Sequence, residues 1–284
     1  MDTKDKRRRR RKVERQAGKS YTIGEENREP NRGPVMLYLG AVTLGPVPRV
    51  VVCLRDNTPP ATLDAIAAAG ADAVELRIDE FTDQSPAYVL EQIERARRLP
   101  IIATIRGRLE GGAWNRSEKE RLELYRAVAP HVQALDIEFS SLDIAFEVMK
   151  IAAKSGALAI GSYHNFTETP VPEILEECAH QGHVVGADVA KVATLCTTCE
   201  DVLHLATFTA ESLHPLISVG MGPYGALTRI ILPALGSLLV YAACDRPTAP
   251  GQLSYQDTIA FLRAFYPDYN REKAGASPEA AGDR

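Results

Sequence analysis

Eight short apolar segments recur between residues 49 and 243, and they constrain the fold more than any other feature of the sequence. The first, Arg49–Leu54, is rich in β-branched side chains and is bounded by prolines, which is typical of a buried strand. The other segments lie at 72–79, 100–106, 134–139, 157–164, 188–194, 215–220 and 237–243. Together they predict eight strands.

Helix signals lie between the predicted strands. Ser85-Pro86 places a capping residue before a first-turn proline, and Ser117–Glu120 has the pattern of a capping box. The segments Thr198–Asp201 and Ser254–Asp257 repeat that pattern with aspartate. Helical spacing and glycines at expected helix ends support the same interpretation: Ile144, Val148, Ile151 and Ala152 for the spacing, and Gly70, Gly156 and Gly182 for the ends.

The order of these elements predicts an α/β fold, a closed parallel (β/α)8 TIM barrel. Eight strands alternating with helices over about 220 residues match the size of such a barrel. The alternative is an open doubly wound sheet, which usually carries a glycine-rich turn after its first strand. Residues 54–59 (LRDNTP) contain no glycine, so the barrel is favoured.

Charge divides the 284-residue chain into a basic start and an acidic body. Residues 1–34 contain 12 Lys and Arg against 6 Asp and Glu, which leaves 21 against 31 in the rest. We therefore expect a disordered basic tail at 1–35, a catalytic barrel at 36–268 and a flexible tail at 269–284. Because the body is acidic, nucleic-acid binding is unlikely, and only the run Lys6–Lys12 could supply it as an RNA-binding arm.

The sequence predicts a cytoplasmic protein. No apolar run reaches the length needed to span a membrane, and no apolar stretch follows Lys12 as in a signal peptide. Five cysteines, an odd number, fit a reducing compartment. Cys196 and Cys199 form a CxxC motif without a second pair at zinc spacing, so we expect reduced thiols and no metal site.

Polar side chains cluster where the predicted strands end. A period of two places Glu75, Arg77 and Asp79 on one face of the second strand, opposite Val74 and Leu76. Further polar positions end or occupy the next strands: Arg106, Asp136, Glu138, His164 and Lys191. Because the active sites of TIM barrels lie at the carboxyl ends of the strands, these residues predict a catalytic site.

Lys191 is the most informative of these residues. It shares a strand face with Val189 and Ala193, so its ammonium group would lose hydration. Desolvation and nearby arginines would lower its pKa, whereas nearby carboxylates would oppose that change. A neutral amine at the centre of a barrel suits Schiff-base chemistry with a carbonyl compound, and His164 could then act as general base and acid.

The seventh predicted strand ends in a glycine-rich turn. Residues 220–225 (GMGPYG) lead into a helix that carries Arg229. A glycine-rich turn at a helix start followed by an arginine could bind a carboxylate or a phosphate group. An ordinary loop with a solvated arginine is the alternative.

These residues, taken in order over roughly 48–266, resemble type I 3-dehydroquinate dehydratase, the Schiff-base enzyme of the shikimate pathway. The segments that carry the resemblance are 74–79 (VELRID), Arg106 with 110–112 (EGG), 136–138 (DIE), 162–166 (SYHNF), Lys191, 221–229 (MGPYGALTR) and 249–252 (APGQ). Each segment is weak alone, but the ordered set is specific.

The resemblance implies a role for each position. Lys191 would form an imine with the C3 ketone of 3-dehydroquinate, and His164 would remove the C2 proton and later protonate the departing C1 hydroxyl. Glu110 would orient His164, Asp136 and Glu138 would tune the nearby charge, and Arg229 would pair with the substrate carboxylate. The remaining substrate-binding positions would be Glu75, Arg77, Arg106, Met221, Thr248 and Gln252.

The same resemblance implies no metal, no organic cofactor and a small-molecule substrate, 3-dehydroquinate. The lack of long apolar runs predicts no membrane partner, and the sequence leaves the oligomeric state open, a homodimer included. It also implies that residues 106–116 and 246–252 form loops that close over the substrate ring and exclude water.

Four positions depart from the expected pattern. Cys53 and Thr248 stand where serine is common, Val219 where methionine is common, and Asn165 where an aspartate often follows the histidine. Thr248 keeps a hydroxyl and Val219 keeps an apolar wall. Cys53 lacks a strong hydrogen-bond donor and Asn165 removes a charge beside the base, so we expect these two to affect affinity and pH optimum.

Two alternative functions remain open. Another Schiff-base barrel, such as an aldolase acting on phosphorylated sugars, would also use Lys191. The other alternative is a binding or assembly protein that uses the basic tail and has an inactive barrel. Truncation of residues 1–34 tests this last alternative: loss of RNA binding with no effect on turnover would leave the enzyme interpretation intact and give the tail a role of its own.

Overall fold

A computed structural model describes residues 36–275 of the chain, and these form a parallel eight-stranded barrel. Each strand from β3 to β8 pairs with the next in sequence, and β10 pairs with β3. The amide of Leu238 donates to the carbonyl of Leu216 (2.9 Å), which links the two ends of the sheet. The barrel strands are β3 (Arg49–Leu54), β4 (Ala73–Arg77), β5 (Ile101–Thr104), β6 (Ala134–Glu138), β7 (Leu158–Asn165), β8 (Val189–Leu195), β9 (Leu216–Met221) and β10 (Leu239–Ala243).

The predicted (β/α)8 architecture is confirmed, since each of the eight segments forms a barrel strand. Capping boxes form at Ser117 and Thr198, and Gly70 and Gly156 end their helices in the left-handed conformation. The predicted basic tail, 1–35, lies outside the described residues. The helices are α1 (Pro60–Ala69), α2 (Pro86–Ala96), α3 (Glu118–Val128), α4 (Ala145–Ser155), α5 (Pro172–Val184), α6 (Cys199–Glu211), α7 (Gly225–Ile231), α8 (Tyr255–Phe265) and α9 (Pro267–Lys273).

One predicted helix end is wrong. Gly182 does not end its helix, because α5 continues to Val184 and the left-handed glycine follows at Gly186 (φ 101°). Gly182 is buried, and a Cβ atom on Gly161 of β7 would lie 3.5 Å from its Cα. The glycine at 182 therefore allows the helix to pack closely on the strand.

A short hairpin that the sequence patterns did not reveal covers the amino end of the barrel. It consists of β1 (Leu37–Leu39) and β2 (Val42–Leu44), with Leu39 completely buried. Its inward side chains pack on residues near the strand starts, including Val51 and Ala73, and Arg49 donates to the carbonyl of Thr43 (2.9 Å). The hairpin thus closes the end opposite the predicted site.

The predicted boundary at residue 268 falls inside helix α9, so the expected flexible tail at 269–284 needs correction. Tyr269 is completely buried, and the ammonium of Lys273 lies 2.6 Å from Asp72. Because a buried aromatic side chain and an ion pair fix this segment, residues 269–273 belong to the barrel.

The strand faces separate the two cores and position the site. Val74 and Leu76 of β4 point outward into the layer between barrel and helices, whereas Ala73 and Glu75 point into the barrel. The interior is apolar near the strand starts and charged near the strand ends, as the period-two pattern predicts. None of the helices within residues 36–275 combines the length and apolarity needed to cross a membrane.

We predict that Leu39→Ala lowers the free energy of unfolding by about 2–5 kcal/mol, because it leaves a cavity beneath the barrel. Urea unfolding followed by circular dichroism measures the change. Tyr38→Ala is the matched control, since Tyr38 lies on the same hairpin and is 53% exposed. An unchanged free energy of unfolding in Leu39→Ala would show that the hairpin does not belong to the cooperative core.

Candidate active site

A pocket of about 630 Å³, including its open mouth, lies at the carboxyl ends of the strands. It brings together all ten site residues predicted from the sequence: Glu75, Arg77, Arg106, Glu110, His164, Lys191, Met221, Arg229, Thr248 and Gln252. The remaining walls are formed by Cys53, Gly111, Phe166, Ala193, Val219, Tyr241 and Ala249.

Lys191 lies at the floor of this pocket and is 5% exposed. Its Nζ donates to Asp136 Oδ2 (2.8 Å) and Glu75 Oε1 (3.2 Å), and it lies 4.1 Å from the ring centroid of Tyr241. Burial alone favours the neutral amine, but Asp136 and Glu75 together raise the pKa of Lys191 above its ordinary value. Of the opposing influences expected from the sequence, the two carboxylates outweigh desolvation, so Lys191 is protonated in the free protein.

A buried network of charges holds Asp136, one of the two carboxylates that contact Lys191. Arg106 donates to Asp136 Oδ1 (2.7 Å) and to Glu138 Oε2 (3.1 Å), and Ser162 also donates to Asp136 (2.7 Å). Burial by itself would raise the pKa of Asp136, but Arg106 and Lys191 hold it well below its usual range. The carboxylate at the centre of the network is thus ionised.

The network extends outward through a residue that the sequence patterns did not reveal. Arg121 of α3 is completely buried and donates to both oxygens of Glu138 (2.7 Å each) and to the carbonyl of Ile105 (2.7 Å). An arginine on a helix is normally solvent-exposed, and nothing in its local sequence shows that it reaches a strand end.

His164 and Glu110 form a second group at the rim. Glu110 Oε2 lies 3.0 Å from His164 Nδ1 and accepts the backbone N–H of His164 (2.8 Å). Ser140, which sequence analysis also missed, donates its hydroxyl to the other oxygen of Glu110. Glu110 therefore holds the imidazole in one orientation, with Nε2 left for chemistry.

Burial shifts the pKa of both members of this group. It lowers the pKa of His164 well below its ordinary value, and the positive charges of Arg106 and Lys191 lower it further. Burial raises the pKa of Glu110 to about 7. At neutral pH the imidazole is therefore neutral and able to accept a proton.

Arg229 is a buried cation held only by neutral acceptors. Its Nη1 donates to the carbonyls of Gly220 (3.0 Å), Gly225 (2.8 Å) and Gly251 (3.2 Å), and its Nε donates to that of Tyr241 (3.0 Å). Within residues 36–275 no carboxylate pairs with it, and burial lowers its pKa to about 10. The pocket wall therefore carries a positive charge that an anionic ligand could neutralise.

The other arginine of the rim is fully paired. Arg77 donates to both oxygens of Asp79 (3.0 and 2.8 Å) and pairs with Glu80 (2.9 Å). Asp79 also accepts the backbone N–H of Ala113 (3.0 Å), so it orients Arg77 and ties the loop after β5 to the barrel.

That loop, residues 105–117, reaches the pocket at Gly111, which is one of the lining residues. Gly111 has a left-handed conformation (φ 76°), and a Cβ atom there would lie 2.6 Å from the ring of Phe166. The Phe166 ring stacks on that of His164, with centroids 6.4 Å apart. Only glycine lets the loop approach this aromatic pair so closely.

Cys53 and Gln252 link Glu75, beside Lys191, to Thr248 in the loop after β10. The thiol donates to Glu75 Oε2 (3.3 Å), and Gln252 Nε2 donates to Cys53 Sγ (3.4 Å). Gln252 Oε1 accepts from the backbone N–H and hydroxyl of Thr248 (2.7 and 3.0 Å). Burial and the nearby Glu75 raise the pKa of Cys53 to about 12, so the thiol remains a neutral, weak donor.

Asn165 has a local structural role rather than a place in the pocket. Its side-chain oxygen accepts from the backbone N–H of Thr167 (2.9 Å) and of Glu168 (3.1 Å), which forms the turn after β7. The expected effect of Asn165 on pH optimum stays a prediction.

Tyr241 is the main pocket residue that sequence analysis did not select. The period of two along β10 places Leu239, Tyr241 and Ala243 on one face, and that signal could have identified it. As for metals, residues 36–275 contain no group of three or more His, Cys, Asp or Glu side chains arranged to hold an ion.

Comparison with known proteins agrees with this geometry. The sequence model of type I 3-dehydroquinase matches residues 50–268. The 3-dehydroquinate dehydratase of Thermodesulfovibrio yellowstonii is 36% identical over 221 residues, which cover 77% of this chain and 96% of that protein. The enzyme of the same name from Aquifex aeolicus is 33% identical over 219 residues, covering 76% and 98%.

Solved structures show the same relationship. The crystal structure of the Aquifex aeolicus 3-dehydroquinate dehydratase superimposes with a TM-score of 0.70 and covers 77% of this chain and 99% of that chain. The type I 3-dehydroquinate dehydratase of Clostridium difficile, solved with covalently modified comenic acid, gives 0.72 at 25% identity and covers 79% and 94%. This chain therefore belongs to the type I 3-dehydroquinase family of hydro-lyases.

Proposed function

We propose that this protein dehydrates 3-dehydroquinate to 3-dehydroshikimate through a Schiff base on Lys191. The observation that carries the proposal is a buried lysine between two carboxylates, in one pocket with a neutral histidine and an unpaired arginine. Family membership supports the overall reaction, and the geometry supports the covalent route.

The carboxylates around Lys191 favour the charged form of its nitrogen at two stages. They raise the pKa of the ammonium, so a proton must leave Nζ before it attacks the ketone. After water is lost, the same carboxylates at 2.8 and 3.2 Å stabilise the protonated imine. Since the protonated imine withdraws electrons from the adjacent carbon, it acidifies the C2 proton.

His164 is suited to move that proton. Its low pKa keeps it neutral, and Glu110 accepts from Nδ1, so Nε2 carries the free lone pair. After His164 has taken the proton from C2 of the substrate, the imidazolium would give that proton to the departing C1 hydroxyl, and the elimination would release water. Glu110 would stabilise the imidazolium while it exists.

Arg229 supports a carboxylate substrate over a phosphorylated sugar. Lys191, Arg77 and Arg106 each pair with carboxylates, so Arg229 is the cation of the pocket that residues 36–275 leave without one. One unpaired cation matches the single charge of a carboxylate better than a phosphate dianion. The aldolase alternative gains no specific support here.

The proposal is tested by borohydride trapping. Incubation of the full chain with 3-dehydroquinate and borohydride should give a covalent adduct, which peptide mass spectrometry should locate on Lys191. The adduct of the wild type should include the dehydrated form, because the reaction passes through the imine of 3-dehydroquinate and then the imine of 3-dehydroshikimate. His164→Ala should trap an adduct heavier by one water, since proton removal from C2 is blocked.

Lys191→Met should give no adduct and no turnover. This substitution leaves Asp136 and Glu75 buried without their cation, so its melting temperature must be measured beside the activity. Turnover of 3-dehydroquinate by folded Lys191→Met, or an adduct on another residue, would contradict the covalent route.

We predict that kcat/KM rises with pH through about 7, because Glu110, with its pKa raised to about 7, must be ionised to hold His164. Glu110→Gln should remove this acidic limb and lower kcat by about 100-fold. Rates measured from pH 5.5 to 9 check both effects. If the limb persists in Glu110→Gln, another group controls it.

Arg229→Met should raise KM for 3-dehydroquinate by about 10- to 100-fold, because a charge-assisted hydrogen bond to the substrate carboxylate is lost. Steady-state kinetics measure KM, and thermal melting shows whether the carbonyls around Arg229 still pack. Arg126→Met is the control, since Arg126 lies on the exposed face of α3. An unchanged KM in folded Arg229→Met would exclude carboxylate binding there.

A further inference from the structure

Tyr241 carries a buried hydroxyl that has no hydrogen-bond partner in the described part of the chain, residues 36–275. It lies on β10, is 5% exposed and lines the pocket at the strand ends. Its Oη is buried and makes no hydrogen bond within residues 36–275. The nearby buried phenol of Tyr125 differs, because it donates to the carbonyl of Asp136 (2.8 Å).

An unpaired phenol is costly in a folded protein, so its presence at a pocket wall requires a reason. A phenylalanine would fill the same space without leaving a polar atom unpaired. The ring lies beside Lys191, with Nζ 4.1 Å from its centroid, and Lys191, Glu75 and Asp136 all influence the ionisation of the phenol. Since Tyr241 lines the pocket, a molecule bound there can supply the acceptor.

The phenol can act there only as a hydrogen-bond donor. Burial raises the pKa of Tyr241 well above its ordinary value, and Glu75 and Asp136 raise it further, so the O–H is retained. Lys191 Nζ lies 4.1 Å from the ring centroid, so a carbon bonded to Nζ must lie beside the ring.

We propose that Tyr241 is a further catalytic residue, whose phenol donates a hydrogen bond to the ketone oxygen that Lys191 attacks. This inference rests on the proposed function. As the C–N bond forms, the π electrons of the carbonyl move to its oxygen, and the phenol stabilises the charge that develops there. The phenol keeps its proton throughout.

Contacts with Arg229 and Lys191 fix the position of Tyr241 in the pocket. Arg229 Nε donates to the backbone carbonyl of Tyr241 (3.0 Å), so one residue of β10 is fixed to the carboxylate-binding arginine. The same residue packs its ring against the ammonium of Lys191. Tyr241 therefore spans the distance between the two groups that would hold the ends of the substrate.

The test is Tyr241→Phe, which removes one oxygen and keeps the ring. We expect kcat/KM for 3-dehydroquinate to fall by about 10- to 100-fold, and the rate of borohydride-trapped adduct formation to fall with it. The melting temperature should be unchanged or higher, because an unpaired buried hydroxyl has been removed.

Tyr269→Phe is the matched control. Tyr269 is also completely buried with an unpartnered hydroxyl, but it lies on α9 beside Lys273, away from the pocket. Its removal should leave kcat/KM and trapping unchanged.

Wild-type kcat/KM and trapping rate in Tyr241→Phe would overturn the inference. A loss of activity that merely follows a fall in melting temperature would also overturn it, because the hydroxyl would then be structural. Failure of the proposed function is distinguishable, since the wild type itself would then neither turn over 3-dehydroquinate nor form an adduct.

Discussion

The site depends on one buried carboxylate, that of Asp136. It is completely buried and accepts from Lys191 (2.8 Å), Arg106 (2.7 Å) and Ser162 (2.7 Å), which come from three other segments of the barrel. A buried charge without partners is strongly destabilising, so these contacts must form together when the barrel closes. The lysine is thereby fixed before any substrate arrives.

The same network separates the protonation states of the two reactive groups. Carboxylates beside Lys191 raise its pKa, while burial and the neighbouring cations lower the pKa of His164. One pocket thus holds a charged nitrogen that can carry an imine and a neutral imidazole that can accept a proton. Opposite shifts in adjacent groups are how a single fold supplies an acid and a base at neutral pH.

Local patterns predicted the strands and most of the site, because the carboxyl ends of all strands lie at the same end of a parallel barrel. Five polar residues at predicted strand ends line one pocket, and the other three form ion pairs with them, whereas residues that act across elements were missed. Arg121 on α3 and Ser140 after β6 contact Glu138 and Glu110 only through the folded arrangement. The sequence also left the protonation of Lys191 open, since it depends on distances of 2.8 and 3.2 Å to two carboxylates.

Two groups in the pocket lack a partner of the kind that the other polar groups have: a carboxylate for Arg229 and a hydrogen-bond acceptor for Tyr241. Arg229 has four carbonyl acceptors but no carboxylate within residues 36–275, and the Tyr241 hydroxyl has no acceptor there. Both would be satisfied by a ligand with a carboxylate at one end and a carbonyl oxygen at the other. An analogue without the carboxylate would leave the charge of Arg229 unneutralised, and one without the carbonyl oxygen would leave the Tyr241 hydroxyl unpaired. Each loss is a strong basis for rejecting the analogue. In the proposed function, the two groups without such partners would therefore select the substrate, and the paired groups hold Lys191 and His164 in place.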